Sequence, residues 1–71
     1  MTLALSDNIY SRRIALGMTQ TQLAEKIGVA YQTVQKFENN TRKPNPETFV
    51  MLARVLGTTC EKLVLGENAG N

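Results

Sequence analysis

The chain has 71 residues, 42% of them hydrophobic and 20% charged, and eight Lys and Arg against six Asp and Glu leave a net charge of +2. That size allows one domain with a small core, the hydrophobic fraction argues against disorder, and the charge excludes a basic coat while leaving room for a local basic patch. With no His and a single cysteine, Cys60, an intrachain disulfide, a Cys/His zinc site and His-based acid–base catalysis are all excluded.

Strand patterns are nearly absent, whereas helix punctuation is dense. Ser6 is expected to cap a first helix, with Gly17 at its left-handed end. Thr19-Gln20-Thr21-Gln22 fits a capping box that opens a second helix. Leu23, Ala24 and Ile27 form its apolar face, and Gly28 stops it. A third helix runs from about Tyr31 to Glu38 with Val34 and Phe37 inward. Asn39 to Asn45 is polar, contains Pro44, and is expected to be a loop. Asn45-Pro46-Glu47 starts a fourth helix with a cap, a proline in the first turn and an acid beside the positive end of the dipole. Phe49, Leu52, Ala53 and Leu56 recur at helical spacing before Gly57. Thr58 or Thr59 opens a short fifth helix ending at Leu65-Gly66. The expected division is one domain over residues 1–66 and a flexible tail over 67–71.

Five short helices and no strand predict a compact all-α domain. Gly28-Val29-Ala30 joins the second and third helices, and a short Gly-containing turn between two short helices is the helix-turn-helix arrangement. The same pattern also fits an ordinary helical hairpin. Ile9, Arg13 and Leu16 share one face of the first helix, which sets a cation on an apolar stripe. Val34, Phe37 and Glu38 do the same for an anion on the third. An unpaired buried ion costs several kcal/mol, so the two stripes suggest an Arg13–Glu38 pair, the alternative being that both side chains reach out to water.

Gln20-x-x-Leu23-Ala24-Glu25-Lys26-Ile27-Gly28-Val29, Val34-x-x-Phe37-Glu38-Asn39 and Pro44-x-x-Glu47-Thr48-x-x-x-Leu52-Ala53-x-x-Leu56-Gly57 together resemble the lambda-repressor-like helix-turn-helix family. Arg12 to Gln20 is especially similar to phage repressor and Cro proteins. The resemblance implies binding to double-stranded DNA, with the third helix in the major groove. It implies base contacts from Tyr31, Gln32 and Lys36, with Gln35 a secondary candidate. The chemistry suits this: glutamine matches adenine N6 and N7, and lysine donates to guanine O6 and N7. It also implies phosphate contacts from Gln20, Asn39, Asn40, Arg42 and Lys43. Two departures stand out. Ala30 precedes the third helix where the family often has a Ser or Thr cap, and Asn40 stands where it commonly has Gly.

These residues lead to a transcription regulator, a repressor or Cro-like protein, binding a pseudo-palindromic operator. An antitoxin or restriction controller with the same fold is the alternative, and a protein-interaction module a more distant one. No enzyme, cofactor or metal is expected, since no nucleophile–base pair, phosphate loop or metal set occurs. No apolar run is long enough for a membrane span, and a cytoplasmic protein is expected. A homodimer, weak without DNA, is expected to meet through the fifth helix at Leu65, with Val64 beside it.

Overall fold

Five α-helices follow one another along residues 5–66, the part of the chain that this computed structural model describes: α1 Leu5–Ala15, α2 Gln20–Ile27, α3 Tyr31–Glu38, α4 Pro46–Val55 and α5 Cys60–Leu65. No strand occurs among the described residues. The tail expected over 67–71 lies outside them.

Side-chain chemistry fixes most of the helix ends. The Thr19 hydroxyl accepts from the Gln22 N–H at 3.0 Å, and the Gln22 side chain accepts from the Thr19 N–H at 2.8 Å, which closes the capping box of α2. Asn45 accepts from the Thr48 N–H at 2.8 Å to cap α4, with Pro46 at its first position. Thr59, not Thr58, caps α5, accepting from the Lys62 N–H at 3.1 Å. Gly28 ends α2 at φ +75°, a left-handed geometry that sends the chain directly into α3. Asn40 takes the same role after α3 at φ +65°, and the Thr41 N–H closes the turn on the Lys36 carbonyl at 3.0 Å.

The core joins all five helices through Ile9, Leu23, Ala24, Ile27, Val34, Phe37, Leu52, Ala53, Leu56 and Leu63, with Val29 in the α2–α3 turn packed against it. Helix α3 packs on both α1 and α2, while α5 packs on α1 and α4. That leaves one side of α3 outward.

Two expectations at the ends of α1 are corrected. Ser6 is buried inside the first turn and is not the cap, because the helix already includes Leu5. Leu16 is 47% exposed, not on the core face. The helix stops at Ala15, and the turn through Gly17, with the Met18 N–H bonded to the Arg13 carbonyl, swings Leu16 off the stripe. Half-buried Met18 packs against the core instead. In α5 neither Val64 nor Leu65 enters the core; at 43% and 53% exposed they follow Leu63, which does.

Candidate nucleic-acid interface

Helix α3 is two-sided. Val34 and Phe37 are buried, whereas Tyr31, Gln32 and Lys36 are exposed and Gln35 is half-buried. Positions 32, 35, 36 and 39 form one outward stripe at helical spacing, and Tyr31 stands one turn before Gln35. The Gln35 Nε2 donates to the Tyr31 hydroxyl at 2.9 Å. Ala30 has the extended backbone of a cap but supplies no side-chain acceptor, as its sequence implies. The Thr33 N–H reaches the Ala30 carbonyl at 2.9 Å, and the Tyr31 and Gln32 N–H groups keep their capacity for another acceptor.

Behind that stripe lies an ion pair. Arg13 Nε donates to Glu38 Oε2 at 2.6 Å, Arg13 Nη2 to Glu38 Oε1 at 3.0 Å, and Arg13 Nη1 to the Met18 carbonyl at 2.8 Å. Both side chains are largely removed from water, and the Arg13 guanidinium also lies 5.3 Å from the centre of the Tyr10 ring. Hydrogen bonding to Glu38 raises the Arg13 pKa above its ordinary value, against the opposing effect of burial, so the guanidinium stays charged. Gln20 joins the pair, its Nε2 donating to Glu38 Oε1 at 3.0 Å. The structure thus brings three expected site residues, Arg13, Gln20 and Glu38, into one cluster spanning α1, α2 and α3. One amide N–H of Gln20 is committed there, which leaves its second amide N–H and its backbone N–H, in the first turn of α2, for an anion.

The loop after α3 folds back on that helix. The Thr41 and Arg42 N–H groups both reach the Lys36 carbonyl, at 3.0 and 3.3 Å. Asn39 Oδ1 accepts from the Thr41 N–H at 3.1 Å and from its hydroxyl, which turns the Asn39 amide nitrogen away from the bonded side. Arg42 and Lys43 are exposed and border a polar cleft of about 330 Å³. Ala30 and Thr33 at the start of α3, and Asn45 and Thr48 at the start of α4, line its other walls. Two helix N-termini and two cations around one cleft form a setting that favours an anion. Between Tyr31 and Lys43 the charged residues are Lys36, Glu38, Arg42 and Lys43. The one acid among them is paired with Arg13, so this segment is locally positive although the chain carries only +2.

Two further residues of α1, Asn8 and Arg12, make tertiary contacts that the stripe of Ile9, Arg13 and Leu16 does not reveal. Arg12 Nη2 donates to the Leu56 carbonyl at 2.8 Å, placing a cation at the C-terminal end of α4. The Asn8 amide donates to the Leu63 carbonyl at 2.7 Å and ties α5 to α1. Their spacing of four beside the apolar stripe was the available signal.

A sequence profile of the helix-turn-helix family matches residues 9–63. An HTH-type transcriptional regulator of Rickettsia prowazekii is 31% identical over 67 residues, covering 94% of this chain and 52% of the relative. The chain therefore spans about half the length of that relative. Among solved structures, the P22 c2 repressor in complex with a synthetic operator superposes with a TM-score of 0.88 at 26% identity, covering 93% of this chain and 100% of that one. SinR, described as the master regulator for biofilm formation and solved in complex with DNA, gives a TM-score of 0.77 at 27% identity over 83% of this chain and 95% of its own.

Proposed function

The chain belongs to the Cro/C1-type helix-turn-helix family, and we propose that it is a sequence-specific DNA-binding regulator of transcription, a repressor, that lays α3 in the major groove of a pseudo-palindromic operator. One observation carries this reading. The outward side of α3 bears hydrogen-bonding side chains without an exposed acid, while Glu38 is turned inward against Arg13. In this reading Tyr31, Gln32, Gln35 and Lys36 face base edges, where each good bidentate contact is worth roughly 1–3 kcal/mol of discrimination. Arg42 and Lys43, across one cleft from the start of α3, hold phosphate, and Asn39, Asn40 and Gln20 add contacts to the backbone. The DNA complexes of P22 c2 and SinR support the assignment of DNA as partner.

A helix of eight residues spans few base pairs, so two copies reading an inverted repeat supply the specificity that one lacks. Val64 and Leu65, exposed on α5 and away from α3, are the proposed meeting surface. Selection from a randomised duplex library tests the whole reading. The expected product is an inverted repeat with half-site centres about 34 Å apart. A library that returns no enriched sequence contradicts it.

A further inference from the structure

Helix α3 carries two glutamines three residues apart, and the structure sets them differently. Gln32 is exposed, and among the described residues its amide makes no hydrogen bond. Gln35 is half-buried, and its Nε2 donates to the Tyr31 hydroxyl at 2.9 Å. A glutamine with both amide ends unengaged can turn either end toward DNA, and it orders its side chain only on binding. Gln35 already has a partner for its amide nitrogen.

The polarity of that bond has a consequence for what Gln35 can recognise. A phenol is one donor and an acceptor. When its oxygen accepts from Gln35, its own proton points elsewhere. On DNA the acceptors that meet such a proton are phosphate oxygens and the keto or N7 atoms of bases. Once the phenol donates outward, it can face Gln35 only as an acceptor. The amide is then held with its nitrogen toward Tyr31 and its carbonyl, Oε1, toward the groove. A carbonyl in the major groove pairs with an amino group, and only cytosine N4 and adenine N6 offer one there.

Resting on the reading of α3 as the recognition helix, we propose that Tyr31 is a positioning residue that fixes the amide polarity of Gln35 and makes it a reader of amino-bearing bases. At the base facing Gln35, adenine and cytosine are favoured over guanine and thymine. Gln32 keeps both ends of its amide available for a bidentate match.

The test uses the unmodified chain, Tyr31→Phe, Gln35→Ala, the double variant and Gln32→Ala, each profiled on a randomised duplex library. Tyr31→Phe keeps the ring and removes only the hydroxyl, and melting curves of all variants check that the fold is unchanged. The expected result is an adenine-or-cytosine preference at one half-site position, reduced about 2- to 12-fold by Tyr31→Phe, the range of one net hydrogen bond. Gln35→Ala should act at the same position, and the double variant should lose no more of that preference than Gln35→Ala does. Gln32→Ala should alter a different position. A guanine or thymine preference at the Gln35 position overturns the inference. So does a Tyr31→Phe profile identical to that of the unmodified chain, or losses of that one preference from the two variants that multiply. If the unmodified chain selects no sequence, or Gln32→Ala and Gln35→Ala both leave its selected sequence intact, the assignment of α3 itself has failed.

Discussion

Arg13 grips Glu38 with two parallel hydrogen bonds, Nε to Oε2 at 2.6 Å and Nη2 to Oε1 at 3.0 Å, and the two side chains are only 8% and 5% exposed. The contact joins residues 25 positions apart and sets how α3 lies against α1. Burying two ions is costly, and the cost is offset here by saturation. The Met18 carbonyl takes a third guanidinium N–H, and the Gln20 amide takes a second lone pair of the carboxylate. Arg13→Ala or Glu38→Ala should each lose about 3–5 kcal/mol, because each leaves its partner buried alone. The double variant should lose less than the sum. Urea melts of the four proteins measure this, and additive losses below about 1 kcal/mol would place the pair among surface contacts. The raised Arg13 pKa adds a sign. Its stabilisation is complete below the ordinary arginine pKa and is lost only as pH rises through the raised value. Melts from neutral to mildly alkaline pH should therefore show no loss traceable to this guanidinium.

Arg42 and Lys43 should act through charge and not through sequence. Replacing either with Ala should weaken binding to every duplex alike and lower the slope of log affinity against log salt by about 1 per site. Titrations at several salt concentrations report it. An unchanged slope would remove these side chains from the phosphate contact.

The turn between α2 and α3 depends on Gly28 at φ +75°, and a Cβ built there meets no atom within 4 Å. Gly28→Ala should therefore cost only the backbone strain of a left-handed alanine, about 1–2 kcal/mol, with no clash added. Asn40 has the same sign of φ, at +65°, so Asn40→Gly should be neutral or stabilising by less than about 1 kcal/mol. Thermal denaturation compares the two. A large loss from Asn40→Gly would mean that its side chain, not its backbone, holds the turn.

Assembly through α5 should be weak, since Val64 and Leu65 offer only a small apolar patch. Sedimentation should find mainly monomer in the free chain and a two-to-one complex on a duplex with two half-sites. Leu65→Glu should disfavour the second copy. A tight dimer without DNA that tolerates Leu65→Glu would put the interface on another surface.

Most helix ends could be read from the sequence because their determinants are local. The Thr19–Gln22 box, Asn45-Pro46 and Thr59 each satisfy N–H groups within three residues. Arg13 and Glu38 were legible for another reason: a charge on an apolar stripe demands a partner. What escaped depends on tertiary placement. The exit of Leu16 from the core follows from where α1 stops. The burial of Leu63 between exposed neighbours follows from how a six-residue helix lies on α1 and α4, since so short a helix carries almost no periodicity. On α3 the outward positions of Tyr31, Gln32 and Lys36 were legible, but the bonds from Gln20 to Glu38 and from Gln35 to Tyr31 were not. Each requires knowing which way an amide is turned.

Helix α3 is proposed to read bases while the loop after it holds the backbone. Binding profiles of Lys36→Ala and Lys43→Ala on one randomised duplex library separate these two roles, because the two variants remove the same charge a few residues apart. Lys36→Ala should flatten the preference at one or two positions of each half-site, whereas Lys43→Ala should lower affinity with the preferred sequence unchanged. Equal, unselective losses from both would contradict the assignment of α3 as the reading helix.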